Sequence, residues 1–162
     1  MFPDPDGNGF HALLTARANH GDPATRGVIG HATSEDLVHW TVRPPLTEPG
    51  LFGHLEVPQL ERVEDRWWLL FSTPPGPGHP GHGTHVLSAA APLGPYRWST
   101  HQPLDTDHLG SRYGGRLVST AEGWQLLAWR QRGADGFLGE LADPVPVRLR
   151  GGRLALDAEG ER

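Results

Sequence analysis

Trp67-Trp-Leu-Leu-Phe-Ser-Thr73 is the stretch that decides how this chain is read, because it recurs. Phe10-His-Ala-Leu-Leu-Thr-Ala16 precedes it and Trp124-Gln-Leu-Leu-Ala-Trp-Arg130 follows it, without gaps, at a constant spacing of about 57 residues. Each copy begins with an aromatic, carries Leu at its fourth place (Leu13, Leu70, Leu127) and follows a turn signal: Asp6-Gly-Asn-Gly9, Glu64-Asp65 or Glu122-Gly123. Short, near-continuous apolar runs bounded by turn residues predict strands buried on both faces.

A second predicted strand follows each copy: Gly27-Val-Ile-Gly-His-Ala-Thr33, Thr84-His-Val-Leu-Ser-Ala-Ala90 and Gly136-Phe-Leu-Gly-Glu-Leu-Ala142. Each then meets a compact turn, at Ser34 to Trp40, Ala91 to Trp98 and Asp143 to Pro146. Ser34 and Asp36 can accept hydrogen bonds from the turn's own backbone, which reads them as turn-builders, with Trp40 and Trp98 covering the outer edge. A repeat of short antiparallel strands with a Trp-bearing turn is the mark of a β-propeller blade. The fold class expected is all-β: three four-stranded blades, approximately 1–49, 50–104 and 105–162, within one partial propeller domain. A closed propeller needs at least four blades, so the expected domain is truncated at its N-terminus.

Composition narrows the function. The 162 residues include 22 glycines and 16 prolines, which favours short elements and tight turns, while 36% hydrophobic residues and six tryptophans mark a globular chain. Net charge is -5 with scattered basic residues, so there is no electrostatic footprint for nucleic acid. With no cysteine, disulfide and thiolate chemistry are excluded. The start, Met1-Phe-Pro-Asp-Pro-Asp-Gly7, does not read as a signal peptide, and no apolar run would span a membrane. A cytoplasmic protein is expected, or a secreted one if the true N-terminus lies upstream.

The same repeat locates a site. Glu56 stands between Leu55 and Val57, two residues before Pro58, at the start of a predicted innermost strand. A carboxylate flanked by apolar side chains is costly to bury as an ion and readily held as the neutral acid, which suits a proton donor. One repeat further on lies Tyr113, in Ser111-Arg-Tyr-Gly-Gly-Arg-Leu-Val118, so Glu56 and Tyr113 are expected in one ring around the central funnel. Strand alternation sends the loops holding Arg17-Ala-Asn-His20, Pro44 to His54, Pro74 to Gly83 and Gln102 to Arg112 to the funnel end, and the Ser34 and Pro92 turns to the other. Arg17, Asn19, His20 and His54 then sit where a small-molecule ligand could be hydrogen-bonded, or serve as loop residues. Tyr113 contacts such a ligand or fills the funnel wall.

Gly27-Val-Ile-Gly-His-Ala-Thr-Ser-Glu-Asp-Leu-Val-His-Trp40, then Glu56-Val-Pro58 before Arg66-Trp-Trp-Leu-Leu-Phe-Ser72, then Tyr113-Gly-Gly with Gly139-Glu-Leu and Pro144, resemble the latter part of glycoside hydrolase family 32. These are the β-fructosidases, whose five-bladed propeller is shared by the arabinan-cleaving and levansucrase families. The resemblance implies a glycosidase acting on fructose-containing sugars, with a carbohydrate substrate and no cofactor. It makes Glu56 the general acid/base, in a motif that usually reads Glu-Cys-Pro and here has Val57. It places the nucleophilic Asp and the transition-state-stabilising Asp outside this chain. Asp4 and Asp6 are not the latter, because the register puts them in the turn leading to Phe10.

Two further features bear on function. His79, His82 and His85 make a His-x-x-His-x-x-His series that could bind a metal only if helical, and Gly78, Pro80, Gly81 and Gly83 forbid a helix; a solvated loop and no metal are expected. Trp67, Trp68, Trp124 and Trp129 read as core, unless one turns outward to stack on a sugar. The alternative to an enzyme is a non-catalytic fragment that binds carbohydrate or self-associates, since the open edges of an arc invite a homodimer in place of the missing N-terminal blades.

Overall fold

The computed structural model describes residues 1–75, 82–98, 102–106 and 112–157. They fold into three antiparallel sheets and, among the described residues, no helix. The first sheet holds β1 (Phe2–Pro3), β2 (Phe10–Arg17), β3 (Gly27–Ser34) and β4 (Thr41–Arg43), paired in chain order. The second holds β5 (Glu56–Val63), β6 (Arg66–Thr73), β7 (Gly83–Ala89) and β8 (Arg97–Trp98) in the same up-and-down order. The repeated runs are the second strands of their sheets, as the spacing predicts.

The third sheet departs from the expected four strands. It contains β9 (Arg112–Thr120), β10 (Gly123–Gly133), β11 (Gly136–Leu141), β12 (Val145–Arg150) and β13 (Arg153–Leu156). β10 is long enough to pair on one edge with β9 and on the other with two strands in succession. Its far half takes β11 and its near half takes β12 through Gln125 opposite Pro146 and Leu126 opposite Val145. The predicted turn at Asp143 to Pro146 therefore leads straight into a hairpin, closed by Gly151-Gly152, that brings Val147 and Leu154 into the core.

Burial explains how the sheets stack. Along β6, Trp68 and Leu70 enter one apolar cluster with Leu117, Leu126, Val147 and Leu154 of the third sheet. Leu69 and Phe71, pointing the opposite way, enter another with Ile29 of the first sheet and with Phe52 and Leu55. All four β6 side chains are fully buried, each worth about 1.5–3 kcal/mol of hydrophobic stabilisation. Among the described residues, only the central sheet is covered on both faces. The expectation of two-sided burial fails for β2 and β10, where Leu14 and Trp129 are about half exposed, because the outer sheets have a single packed neighbour.

The turn readings hold. Ser34 Oγ accepts the Leu37 N–H at 2.9 Å, and Asp36 Oδ1 accepts the Val38 and His39 N–H groups at 2.9 and 2.8 Å. Asp4 and Asp6 lie in the β1–β2 turn, away from Glu56, with the Asp6 N–H on Asp4 Oδ1. His85 corrects the loop reading of the histidine series: it is buried in β7 against the rings of Phe52 and Phe71, because the strand starts at Gly83. His79 lies outside the described residues.

At the end of the first sheet far from Glu56, Asp4 Oδ2 stands 3.2 Å from His11 Nε2, and His11 Nδ1 lies 2.8 Å from His31 Nε2. The two rings share a hydrogen bond through these nitrogens, while His11 Nε2, though close to Asp4, has no hydrogen-bond partner among the described residues. Burial foremost, then the charges of His11 and Arg43, push His31 below its ordinary value of 6.5. A histidine held neutral in the fold stabilises it fully above the unfolded value, and that contribution is lost as pH falls below about 6.5. The thermal midpoint is therefore expected to drop between about pH 7.5 and about pH 5, and the drop should shrink in His31→Gln. Equal drops in both proteins would remove His31 as its cause.

Candidate functional site

β5 is irregular from its first residue. Glu56 pairs with Ser72, and the ladder resumes only at Gln59 opposite Leu70, so the strand accommodates an extra residue between them. Within this bulge Val57 adopts φ 47°, a left-handed conformation that β-branched residues rarely take. Bulges bend a strand and re-aim a side chain, and backbone strain of about 1–3 kcal/mol tends to collect at functional sites. The consequence is a Glu56 carboxylate turned toward the third sheet.

Each carboxylate oxygen has its own neighbour. Tyr113 O–H donates to Glu56 Oε2 at 2.5 Å, while His54 Nδ1 faces Oε1 at 3.6 Å. His54 Nε2 in turn accepts a hydrogen bond from Arg17 Nη2. Arg17 Nη2 also stands 3.4 Å from His54 Nδ1, so the guanidinium lies against the imidazole edge. Arg17, His54, Glu56 and Tyr113 are thus one continuous cluster drawn from β2, the 44–55 connection, β5 and β9. Asn19 and His20 are exposed in the loop after β2, and among the described residues no contact joins them to the cluster.

The carboxylate is not enclosed by apolar groups, as its sequence neighbours suggested. The Glu56 side chain is 36% exposed, with Leu55 buried in the core behind it and Val57 turned outward. Successive side chains along a strand diverge, so residues adjacent in sequence do not line the same pocket. Tyr113 is strongly perturbed. Burial first, then the hydrogen bond to Glu56 and its charge, raise the phenol well above its ordinary value of 10, so it remains a proton donor to the carboxylate. The His82 ring meets Tyr113 edge-on at 5.6 Å.

Tyr113 reaches Glu56 because β9 lies directly on the second sheet. Gly114 N–H donates to Ser72 Oγ at 3.0 Å and Gly115 N–H to Thr84 Oγ1 at 3.1 Å. A Cβ on Gly115 would fall 2.4 Å from Thr84 Oγ1, so only glycine permits this approach. Further along, the Gln59 amide accepts from Leu117 N–H and donates to Leu117 C=O, both at 2.8 Å, and Arg116 donates to Pro58 C=O at 3.1 Å. On the other side Gly27 has the matching role. Its N–H donates to Phe52 C=O at 2.7 Å, and a Cβ there would collide with the 52–54 backbone that carries His54 to Arg17.

Gln59, Ser72 and Thr84 were not singled out from sequence. Ser72 and Thr84 look like ordinary strand residues, but a polar side chain at a predicted innermost strand's fourth place, Gln59, was a usable signal. The assembled group presents a carboxylate that is fixed by a donor on one oxygen and partly open to solvent.

Neither a family model nor a curated protein matches the sequence. Solved structures do. A family-32 β-fructofuranosidase from Bombyx mori superposes with TM-score 0.70 at 17% identity, over 93% of this chain and 34% of that one. A thermostable family-43 glycoside hydrolase gives 0.68 at 14%, over 96% and 55%. A xylan β-1,4-xylosidase from Bacillus halodurans gives 0.65 at 21%, over 96% and 32%. The chain therefore spans between a third and about half of the solved structures it resembles, and it has the all-β fold of the propeller glycoside hydrolases.

The inter-sheet clamp is directly testable. Gln59→Leu keeps the side-chain bulk but leaves the buried Leu117 N–H and C=O without partners, each worth about 1–3 kcal/mol when unsatisfied. Denaturant unfolding should show a loss of about 1–3 kcal/mol or more, whereas unchanged stability would show that the amide does not hold the sheets together.

Proposed function

We propose that this chain carries the proton-donor side of a glycoside hydrolase site acting on O-glycosidic bonds of fructose-containing sugars, with Glu56 as general acid/base. The observation that carries the reading is the Glu56 carboxylate itself: presented at the start of an inner strand, held by Tyr113 from the neighbouring sheet, and flanked by His54 and Arg17. In this reading the neutral Glu56 gives its proton to the leaving oxygen. The resulting carboxylate then draws a proton from water, steadied by Tyr113 O–H throughout. Arg17, His54 and Tyr113 bind or orient the sugar. Asn19 and His20 extend the rim. The likeness to fructosidase and xylosidase folds supports the reaction class, and the Glu56-Val-Pro58 resemblance favours fructosides within it.

A retaining glycosidase also needs a second carboxylate roughly 5–5.5 Å from the first. Among the described residues, the groups that touch Glu56 are Tyr113 and His54, and neither is a carboxylate. Turnover by these 162 residues alone is therefore expected to be very low. That same observation favours a second reading, a propeller that binds carbohydrate without cleaving it, or that pairs with another copy through the open faces of its outer sheets.

Glu56→Gln should lower any fructoside hydrolysis by about 100-fold or more with an unchanged circular dichroism spectrum. Hydrolysis equal to the unaltered protein would eliminate Glu56 as proton donor. Sugar binding without turnover in both proteins would favour the second reading.

A further inference from the structure

We propose that Asp105 is a positioning residue of this site: acting through Arg112, it fixes where Tyr113 stands against Glu56. Arg112 is the first residue of β9 and Tyr113 the second. The Gln59 amide grips β9 at Leu117, and between that grip and Tyr113 the strand is loosely made. Gly114 takes a left-handed φ of 66°, Gly115 follows it, and the ladder to β10 shifts register between Leu127 and Trp129. Two glycines and a bulge transmit little restraint, so the end of the strand that carries the phenol needs an anchor of its own.

Asp105 supplies it. Its side chain is buried, and Oδ2 accepts from Arg112 Nε at 2.9 Å. The main chain around that carboxylate is itself held to β7, where Thr84 N–H donates to Asp105 C=O at 2.9 Å and Thr84 C=O accepts the Leu104 N–H at 2.7 Å. The Thr84 hydroxyl in turn takes the Gly115 N–H. Tyr113 is thereby bracketed: one route runs from Thr84 through Gly115, the other from Thr84 through Asp105 and Arg112, and they reach the backbone on either side of the tyrosine. The next residue, Thr106, donates from its hydroxyl to His82 C=O at 2.6 Å, and the His82 ring packs edge-on with Tyr113. Stability alone is a weak reason for this ion pair. A buried pair gives up the hydration of both charges, and Arg112 Nη2 is buried with no hydrogen-bond partner among the described residues, so the guanidinium is only partly compensated. Orientation accounts for it, since a planar guanidinium held at Nε restricts the direction of the strand end that bears it.

Tyr113 reports its own position. In a Tyr96→Phe background it is the only phenol of the chain, and its ionisation is read by ultraviolet absorbance. Asp105→Ala and Arg112→Gln remove charges of opposite sign, so a field effect alone would move the phenol in opposite directions, down when the anion is lost and up when the cation is lost. Loss of position moves both the same way: each variant should lower the titration midpoint by about one pH unit or more, toward the ordinary value of 10. The double variant should add little to either single change, because both break one route. Asp105→Asn, which keeps an acceptor for Arg112, should restore part of the shift. Arg112→Lys, which keeps the charge but not the fixed Nε contact, should still lower the midpoint, and these two milder changes decide the matter if the harsher ones do not fold. Opposite movements in the two charge-removing variants, or midpoints unmoved throughout while thermal stability falls, would give the pair a purely electrostatic or purely structural role and overturn the inference. Because the phenol itself is read, that outcome is independent of whether the site hydrolyses any sugar.

Discussion

The second and third sheets share no strand ladder, and their mutual register is held instead by side chains of one acting on the main chain of the other. The inward edge of β9 presents buried N–H and C=O groups that must be paired somewhere. Ser72, Thr84 and above all the Gln59 amide supply the partners, and Gln59 makes the two bonds that a neighbouring strand would have made. Because a slip would leave these groups unsatisfied, each at about 1–3 kcal/mol, the two inner strands are locked along the axis. Tyr113 meets Glu56 as a result of that lock.

This constraint divides the structure into what sequence could and could not reveal. The repeated Trp67 to Thr73 run located the second strand of each sheet, since apolar runs between turn signals have few other uses. The spacing then paired Glu56 with Tyr113, because equivalent positions of neighbouring sheets lie side by side where their inner strands begin. What stayed hidden depended on contacts between sheets. Ser72 and Thr84 read as ordinary strand residues, and their hydroxyls matter only because Gly114 and Gly115 let a backbone approach. The partial exposure of Glu56 was not legible because its apolar neighbours in sequence point away from it. The hairpin of β12 and β13 was missed because a long β10 can serve two partners on one edge, which no local pattern announces.

The polar cluster follows a consistent direction. Arg17 donates to His54, His54 faces one oxygen of Glu56, and Tyr113 donates to the other. Tyr113 turns its proton toward the carboxylate, and the strained Val57 conformation holds that carboxylate in reach. The glycines at 27 and 115 share one purpose from opposite sides: each removes a side chain so that a foreign segment can bring a functional residue inward. Packing, backbone irregularity and chemistry thus converge on one acid, while the outer faces of the first and third sheets carry exposed Leu14, Val42, Val118 and Trp129.

The chain contains two tyrosines, so Tyr96→Phe leaves Tyr113 as the sole phenol, and its ionisation can be followed by ultraviolet absorbance. If Tyr113 is buried against the Glu56 carboxylate, tyrosinate should form only well above pH 10, and adding Glu56→Gln should move that titration back toward the ordinary value. A phenol that ionises near pH 10 and ignores the loss of Glu56 would contradict the cross-sheet contact on which the site depends.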